Sequence, residues 1–202
     1  MSRIRLALWV GAVLSLIAFV ISLQVHDRTP GPGTVRTTQT GAAELGGPFT
    51  LTAQDGRRVS SAEFAGKWQL LYFGFTYCPD VCPTELNRMA AVLEALGPRA
   101  QKVQPLFITV DPERDTPEVM AAYVRHFGDR LIGLTGTPEE IAAVLAAYRV
   151  YARKAEIESS SVGYLVDHSS VLYLMTPDGR FDTFFTAADA VEDITEALEK
   201  RL

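Results

Sequence analysis

The sequence predicts an α/β domain with a mixed sheet and helices on both of its faces. Three apolar runs, residues 68–74, 104–110 and 130–134, have the composition of buried strands, and helical spacing of apolar residues follows each of them. Strands that alternate with helices in this way form a parallel sheet. Hairpin patterns at residues 48–59 and 171–185 add antiparallel strands before and after this unit. A last amphipathic helix closes the predicted domain.

An apolar run near the N-terminus predicts one transmembrane helix ahead of this domain. Residues 6–23 contain no charged side chain. As a helix the run would be about 27 Å long, close to the hydrocarbon thickness of about 30 Å. Arg3 and Arg5 precede the run and only Arg28 follows it closely, so the positive-inside rule keeps the N-terminus in the cytoplasm. A cleaved signal peptide is the alternative.

The 202 residues are therefore divided into three parts. Residues 1–25 are the cytoplasmic start and membrane anchor, residues 26–44 a flexible linker rich in Thr, Gly and Pro, and residues 45–202 the α/β domain. We expect a single-pass protein of the inner (cytoplasmic) membrane with its domain in the periplasm. The net charge of −5 excludes a nucleic-acid partner, because no basic stripe is available to neutralise phosphates.

Both cysteines of the chain lie directly after the central strand at residues 68–74. Helical spacing begins near Pro79, so we expect Cys78 at the mouth of a helix and Cys82 about one turn further on the same face. The partial positive charge of a helix N-terminus lowers the pKa of a nearby thiol and favours a thiolate at Cys78. This arrangement suits two kinds of chemistry, disulfide exchange and capture of a soft metal ion.

An acidic segment, DPERDTPE, follows the second parallel strand. We predict that Asp115 is the N-cap of the next helix and that Glu118 is its N3 residue. Capping leaves Asp111 and Arg114 unexplained. Since α/β sheets place functional groups in the loops at the carboxyl ends of parallel strands, Asp111 is a secondary candidate for the site.

Other residues with metal-binding side chains have structural explanations. His26 lies beside the predicted membrane exit and is expected to be solvated, and His126 is expected to be an exposed helix residue. Met89 lies on the apolar stripe of the helix after the cysteines and is predicted to be part of the core rather than a copper ligand. Thr137 and Glu140 form a capping box that starts the helix after the third parallel strand.

The later part of the chain is predicted to return toward the cysteines. We expect an edge strand at residues 150–157, a flexible excursion at 158–163, and a returning segment at 164–170. This element order resembles a thioredoxin-like fold, in which a cysteine pair follows the first central strand. That fold places a proline opposite the cysteines, just before the strand of residues 171–176, where this chain has His168. An imidazole is therefore expected opposite two thiols.

Two thiolates and one imidazole offer three ligands to a metal ion. Zinc generally takes four ligands and would need a water molecule to complete the set. Cu(I) is a soft ion that prefers thiolate and accepts fewer ligands. The residue types at Cys78, Cys82 and His168 therefore favour copper over zinc. A histidine that only holds a loop, hydrogen-bonded to Asp167 or Tyr164, is the alternative.

Four segments carry a resemblance to known proteins: YFGFT at 72–76, CPDVCP at 78–83, DPERDTPE at 111–118 and YLVDHS at 164–169. Taken in this order, they resemble the signature segments of the Sco/SenC family of membrane-anchored copper chaperones. The resemblance covers essentially the whole exported domain. It implies that Cys78, Cys82 and His168 bind copper, with Asp111 as an acidic residue near the site. Tyr77 departs from the family pattern, which often has His or Asn before the first cysteine.

The resemblance also implies a function and partners. A chaperone of this family is expected to deliver copper to the binuclear copper site of cytochrome c oxidase subunit II, without catalytic turnover. It needs an external thiol reductant, because a disulfide offers no thiolate. A thiol-disulfide oxidoreductase is the alternative, in which Cys78 attacks a partner's disulfide, Cys82 resolves the mixed disulfide and His168 is not needed. A thiol peroxidase is disfavoured, since the P-x-x-x-T-x-x-C pattern of peroxiredoxins is absent around Cys78.

Overall fold

A computed structural model describes residues 45–156 and 164–202. The chain divides into two units, Met1–Ala42 and Ala43–Leu202, and the described residues belong to the second. The predicted membrane anchor, the whole linker with His26, and the predicted excursion at residues 158–163 lie outside the described residues. Within the described part of the chain, no helix is both long enough and apolar enough to cross a membrane.

The described residues form nine strands and four α-helices. The strands are β1 (Thr50–Ala53), β2 (Arg58–Ser60), β3 (Trp68–Gly74), β4 (Val103–Thr109), β5 (Ile132–Thr135), β6 (Ala152–Glu156), β7 (Tyr164–His168), β8 (Leu172–Met175) and β9 (Phe181–Phe185). The helices are α1 (Val81–Leu96), α2 (Pro117–Val124), α3 (Pro138–Ala147) and α4 (Val191–Glu199). Short 3₁₀ turns cover Ser61–Phe64, Gly97–Lys102 and Arg125–Phe127.

Seven of the strands form one mixed sheet in the order β2-β1-β5-β4-β3-β8-β9. The neighbours β3, β4 and β5 run parallel, as the alternation of strands and helices predicted. Antiparallel strands flank this unit, with β1 beside β5 and β8 beside β3. The strand that precedes the cysteines is therefore held by hydrogen bonds along both of its edges.

Helices cover both faces of this sheet, which confirms the predicted architecture. Successive residues of a strand face opposite sides. Tyr72 of β3 stacks on Phe107 of β4 at 6.2 Å, and Tyr123 of α2 packs on Phe107 at 5.7 Å. On the opposite face, Phe73 contacts Tyr148 at the end of α3, with ring centroids 5.4 Å apart. The helix after the cysteines, α1, packs against α4.

The parallel strands are buried on both faces. All seven side chains of β4 and six of the seven in β3 are buried. A strand in this position has no solvated face and therefore shows a nearly continuous apolar run, which is the pattern that predicted both strands. Met89 is one of the buried core residues of α1, so its predicted core role is confirmed.

Several local predictions are also confirmed. Thr137 and Glu140 form the expected capping box, in which each side chain accepts the backbone N–H of the other residue. Ile194 and Leu198 bury the apolar face of α4, and His126 is exposed. Helix α1 begins at Val81, two residues later than expected, and ends at Leu96 as predicted.

The predicted N-cap of α2 is wrong by one residue. Thr116 is the cap, and its hydroxyl oxygen accepts the N–H of Val119 at 3.4 Å. Asp115 is fully buried instead, and its carboxylate accepts hydrogen bonds from Thr76 and Thr109. Both residue types can cap a helix, so the choice was made by long-range partners rather than by local sequence.

The predicted edge strand at residues 150–157 is not part of the main sheet. Its described counterpart, β6, pairs with β7 in a separate two-stranded sheet. No side chain of β6 is fully buried, so this strand has no apolar face to offer the main sheet. The register places Ala152 opposite His168, at the open end of this hairpin.

Candidate metal centre

The two cysteines lie at the carboxyl end of β3, where α1 begins. Cys78 Sγ accepts the backbone N–H of Cys82 at 3.4 Å, in the first turn of the helix. The residue at the N-cap position, Asp80, makes no capping hydrogen bond with its side chain. The sulfur of Cys78 therefore occupies the place of a capping oxygen, and the positive end of the helix points at it.

Cys82 lies under the surface, in a space that a glycine leaves open. Its side chain is 0% exposed. The hydroxyl of Tyr72 donates to Cys82 Sγ at 3.7 Å and lies 3.3 Å from the hydroxyl of Ser170. A Cβ atom on Gly74 would lie only 2.8 Å from Cys82 Sγ. The last residue of β3 must therefore be a glycine for the second sulfur to reach this position.

His168, the last residue of β7, faces the cysteines. Its Nε2 atom lies 3.4 Å from Cys82 Sγ, and its Nδ1 atom lies 3.0 Å from the carbonyl oxygen of Ser169. A carbonyl only accepts hydrogen bonds, so Nδ1 carries the proton and Nε2 presents its lone pair toward the sulfur. The partners of the ring are thus Ser169 and Cys82, and not Asp167 or Tyr164 as in the alternative interpretation.

Aromatic rings fix the orientation of this imidazole. The rings of Tyr72 and Phe75 meet His168 edge-on, at centroid distances of 6.1 and 5.8 Å. An N–H bonded to a carbonyl together with a packed ring is the usual way in which proteins orient a histidine that binds a metal through its other nitrogen.

The pKa values of the two thiols are shifted in opposite directions. Hydrogen bonding from the Cys82 thiol lowers the pKa of Cys78 well below its usual value, against the cost of partial burial, and the backbone N–H groups of Cys82 and Asp80 contribute in the same direction. Hydrogen bonding to Cys78 raises the pKa of Cys82, and burial raises it further. Cys78 is therefore the thiolate of the reduced pair, and Cys82 keeps its proton.

The donor atoms fit a soft metal ion in kind and nearly in distance. A sulfur and a nitrogen that bind one metal at about 2.3 and 2.0 Å, at angles of about 110–120°, lie about 3.5–3.7 Å apart. The Cys82–His168 distance of 3.4 Å is close to that spacing. Among residues 45–156 and 164–202, no group of three or more His, Cys, Asp and Glu side chains is already arranged to hold a metal ion. Binding through all three donors would thus require a small adjustment of side chains.

Asp111 does not face the thiols. Its buried carboxylate pairs with the guanidinium of Arg114, and it accepts the Tyr164 hydroxyl at 2.8 Å. Asp115 accepts the Thr76 hydroxyl at 2.6 Å, and this bond holds the segment between β3 and Cys78 in place. Burial raises the pKa of Asp115. Both acidic residues therefore stabilise the segments that surround the site.

Sequence reasoning missed Tyr72, Gly74 and Asp115 as residues that shape the site. Gly74 is the one with a readable signal, because a glycine that ends a buried strand often marks a close approach of other atoms. Tyr72 lies inside an apolar run, and nothing in the run distinguishes a tyrosine whose hydroxyl reaches a sulfur. The role of Asp115 was missed because helix capping explained an acidic residue at this position equally well.

A family model described as SCO1/SenC matches residues 37–202. The chain belongs to the SCO1/SenC family. A relative within this family, "Protein SCO1 homolog 1, mitochondrial" of Arabidopsis thaliana, is 48% identical over 163 residues, which cover 80% of this chain and 48% of that protein. The chain thus spans about half the length of this SCO1/SenC relative.

Solved structures of SCO1/SenC proteins match the described fold. The crystal structure of Arabidopsis thaliana ScoI with copper bound has a TM-score of 0.73 and 48% identity, and covers 77% of this chain and 96% of that one. The structure of Bradyrhizobium japonicum ScoI with copper bound has a TM-score of 0.72 and 46% identity, and covers 78% of this chain and 99% of that one. The predicted thioredoxin-like fold is confirmed by these matches.

Proposed function

We propose that this chain is a copper metallochaperone that binds copper through Cys78, Cys82 and His168. The observation that carries the proposal is the position of His168 Nε2, which presents a lone pair 3.4 Å from Cys82 Sγ. Two relatives of known structure, both at least 46% identical, hold copper. A pair of thiolates with one imidazole is a donor set that selects Cu(I), because soft ligands prefer soft ions.

Each of the three residues has its own part in the proposed binding. Cys78 is half-buried and already a thiolate, so it makes the first bond to an incoming ion. Cys82 then binds and releases its proton, since a thiol must deprotonate to become a ligand. His168 Nε2 completes the set without a proton change. The copper ion is released in the reverse order, as donor atoms of a partner replace the three ligand residues one at a time.

The proposed recipient is the binuclear copper site of cytochrome c oxidase subunit II, the partner that the family resemblance implies. The proposal includes a single-pass anchor in the inner membrane at residues 6–23, a linker at 26–44 and a periplasmic domain at 45–202. The linker lets the domain reach along the membrane surface. A thiol reductant is also required, because the oxidising periplasm favours a disulfide between the two cysteines.

Copper analysis of the reduced full-length chain and its variants tests the proposal. We expect about one copper per chain in the parent, and a loss of affinity in His168→Ala beyond the 10–100-fold that follows removal of a residue that only orients a ligand. Cys78→Ser and Cys82→Ser should each lose tight binding. His126→Ala is the matched control, since His126 is an exposed histidine of the same domain. Unchanged stoichiometry and affinity in His168→Ala would refute the proposal.

A second candidate function, thiol-disulfide exchange, is favoured by the asymmetry of the two thiols. The thiolate of Cys78 attacks a partner's disulfide and forms a mixed disulfide, and one partner sulfur leaves as a thiolate. Cys82 loses its proton and attacks Cys78 Sγ, which releases the reduced partner and leaves a Cys78–Cys82 disulfide. An external dithiol must then reduce this bond. A His168→Ala variant that keeps full function in cells, while either cysteine variant loses it, would favour this reaction over copper transfer.

A further inference from the structure

The hairpin that carries His168 lies outside the main sheet. β6 and β7 pair with each other and with no other described strand. His168 is joined to β8 of the main sheet by residues 169–171, and Val166 is buried in the core. The other end of β7, at Tyr164, is held to the loops at the carboxyl end of the sheet by side-chain contacts. A histidine that has to stay within reach of two sulfurs needs its strand to be supported along its length.

A closed set of polar contacts joins the start of β7 to the loop after β4. The guanidinium of Arg114 lies 3.7 Å from the centroid of the Tyr164 ring and donates to the Tyr164 carbonyl at 3.0 Å. The same guanidinium pairs with Asp111, whose other carboxylate oxygen accepts the Tyr164 hydroxyl at 2.8 Å. The Arg114–Asp111 ion pair thus contacts the ring, the hydroxyl and the backbone carbonyl of Tyr164.

The same arginine also reaches the cysteine loop. Its guanidinium carbon lies 4.8 Å from the Tyr77 ring centroid and 5.8 Å from that of Phe75. Phe75 in turn meets His168 edge-on at 5.8 Å. Arg114 therefore contacts the segment that leads into Cys78, the strand that ends at His168, and the ring packed between them.

We propose that Arg114, through Tyr164, is the positioning residue that holds His168 against the two cysteines. Residues 164, 166 and 168 lie on the same face of β7, because side chains alternate along a strand. β7 has five residues, with Tyr164 at its start and His168 at its end. Contacts that hold Tyr164 in place therefore also restrict the position and orientation of His168 relative to the two cysteines. This inference rests on the proposed function, since it assigns a purpose to the position of a metal ligand.

The chemistry requires an arginine here. A planar guanidinium stacks on an aromatic ring while its edge donates several hydrogen bonds, whereas a lysine offers a point charge that cannot do both. The Arg114 side chain is 17% exposed and that of Asp111 is 0% exposed. Truncation to alanine would leave a buried carboxylate without its counter-ion, so Arg114→Lys is the more informative change.

Two variants and one control test the inference in the reduced, copper-free full-length chain. Tyr164→Phe removes the hydroxyl and keeps the ring, and Arg114→Lys keeps the charge and loses the stacking. In both, we expect hydrogen exchange of the β7 amides to become about tenfold faster, while β3 amides are unchanged. Tyr151→Phe makes the same chemical change at an exposed tyrosine next to the hairpin and should have no effect. Equal acceleration in β3, or none in β7, would overturn the inference.

A double-mutant cycle for copper affinity separates positioning from general stability. Tyr164→Phe should lower copper affinity about tenfold in the parent chain and have no effect once His168 is already alanine. An equal loss in both backgrounds would show that Tyr164 acts on the whole domain, and it would refute the inference. If the parent chain binds no copper, the proposed function fails, and the exchange measurement still decides whether Arg114 and Tyr164 hold the hairpin.

Discussion

Replacing Gly74 with alanine is the sharpest test of how the second sulfur is accommodated. The new Cβ would lie 2.8 Å from Cys82 Sγ, 2.9 Å from a ring carbon of Tyr72 and 3.0 Å from a ring carbon of Phe107. All three neighbours are 0% exposed, so none can turn out into solvent. The methyl group must displace atoms of the buried core.

The size of the displacement follows from the contact distance. Non-bonded heavy atoms pack at about 3.5 Å or more, so Cys82 Sγ must move by about 0.7 Å if it alone gives way. Metal–ligand distances tolerate changes of only about 0.2 Å. Overpacking of a buried core also costs about 1–3 kcal/mol. Gly74→Ala is therefore expected to lower stability moderately and to lower copper affinity at least tenfold.

Gly133→Ala is the matched control for this substitution. Its Cβ would lie 2.9 Å from Val124 Cγ1 and 3.1 Å from the terminal methyl carbon of Met120, which is comparable crowding in β5, on the far side of β4 from the cysteines. Urea unfolding should show similar losses of stability in both variants, and copper titration should show weakened binding only in Gly74→Ala. If Gly74→Ala binds copper as tightly as Gly133→Ala does, the glycine is not what makes room for Cys82.

Two further predictions concern ionised side chains. The lowered pKa of Cys78 keeps its thiolate as pH falls, so the rate of its alkylation by iodoacetamide in the reduced chain should stay nearly constant from pH 8 to pH 5. An ordinary thiol, with a pKa of about 8.5, slows about tenfold per pH unit in this range, and such a decline would contradict the assignment. Arg88→Leu leaves the carboxylate of Glu85, whose side chain is 4% exposed, without its partner, so we expect a loss of about 3–5 kcal/mol in urea unfolding. Arg180→Leu, in an exposed ion pair, should change stability little, and equal effects of the two substitutions would refute the importance of burial.

The sheet was predictable because its central strands are buried on both faces. A strand with no solvated side is mostly apolar, and the turns that bound it are marked by polar and glycine residues. The predicted limits of β3 therefore agree with the structure. The limits of α1 and α2 were less exact, because several residues near each start could serve as the cap. Thr116 rather than Asp115 caps α2, since Asp115 is drawn into the core by Thr76.

The proximity of Cys78, Cys82 and His168 was predictable from the sequence, and the residues that support them were not. Cys78, Cys82 and His168 stand out because their positions relative to strands and helices are fixed by the order of the elements. Arg114 was left without a role, since its partners Tyr164 and Tyr77 lie in segments that only the folded chain brings together. Long-range pairs of this kind leave no periodic signal in a sequence.

The division of the site between two sheets bears on how a cargo ion could be released. Cys78 and Cys82 follow β3, which is held along both edges by β4 and β8, so moving the thiols would disturb a strand in which six of the seven residues are buried. His168 ends a hairpin that pairs with no other described strand. If copper is bound as proposed, the imidazole would be the first ligand to leave, because local opening takes the route of lowest cost. The strength of the Arg114–Tyr164 contact would then set how often the ion is held by sulfur alone, which is the state that a partner's ligands can attack.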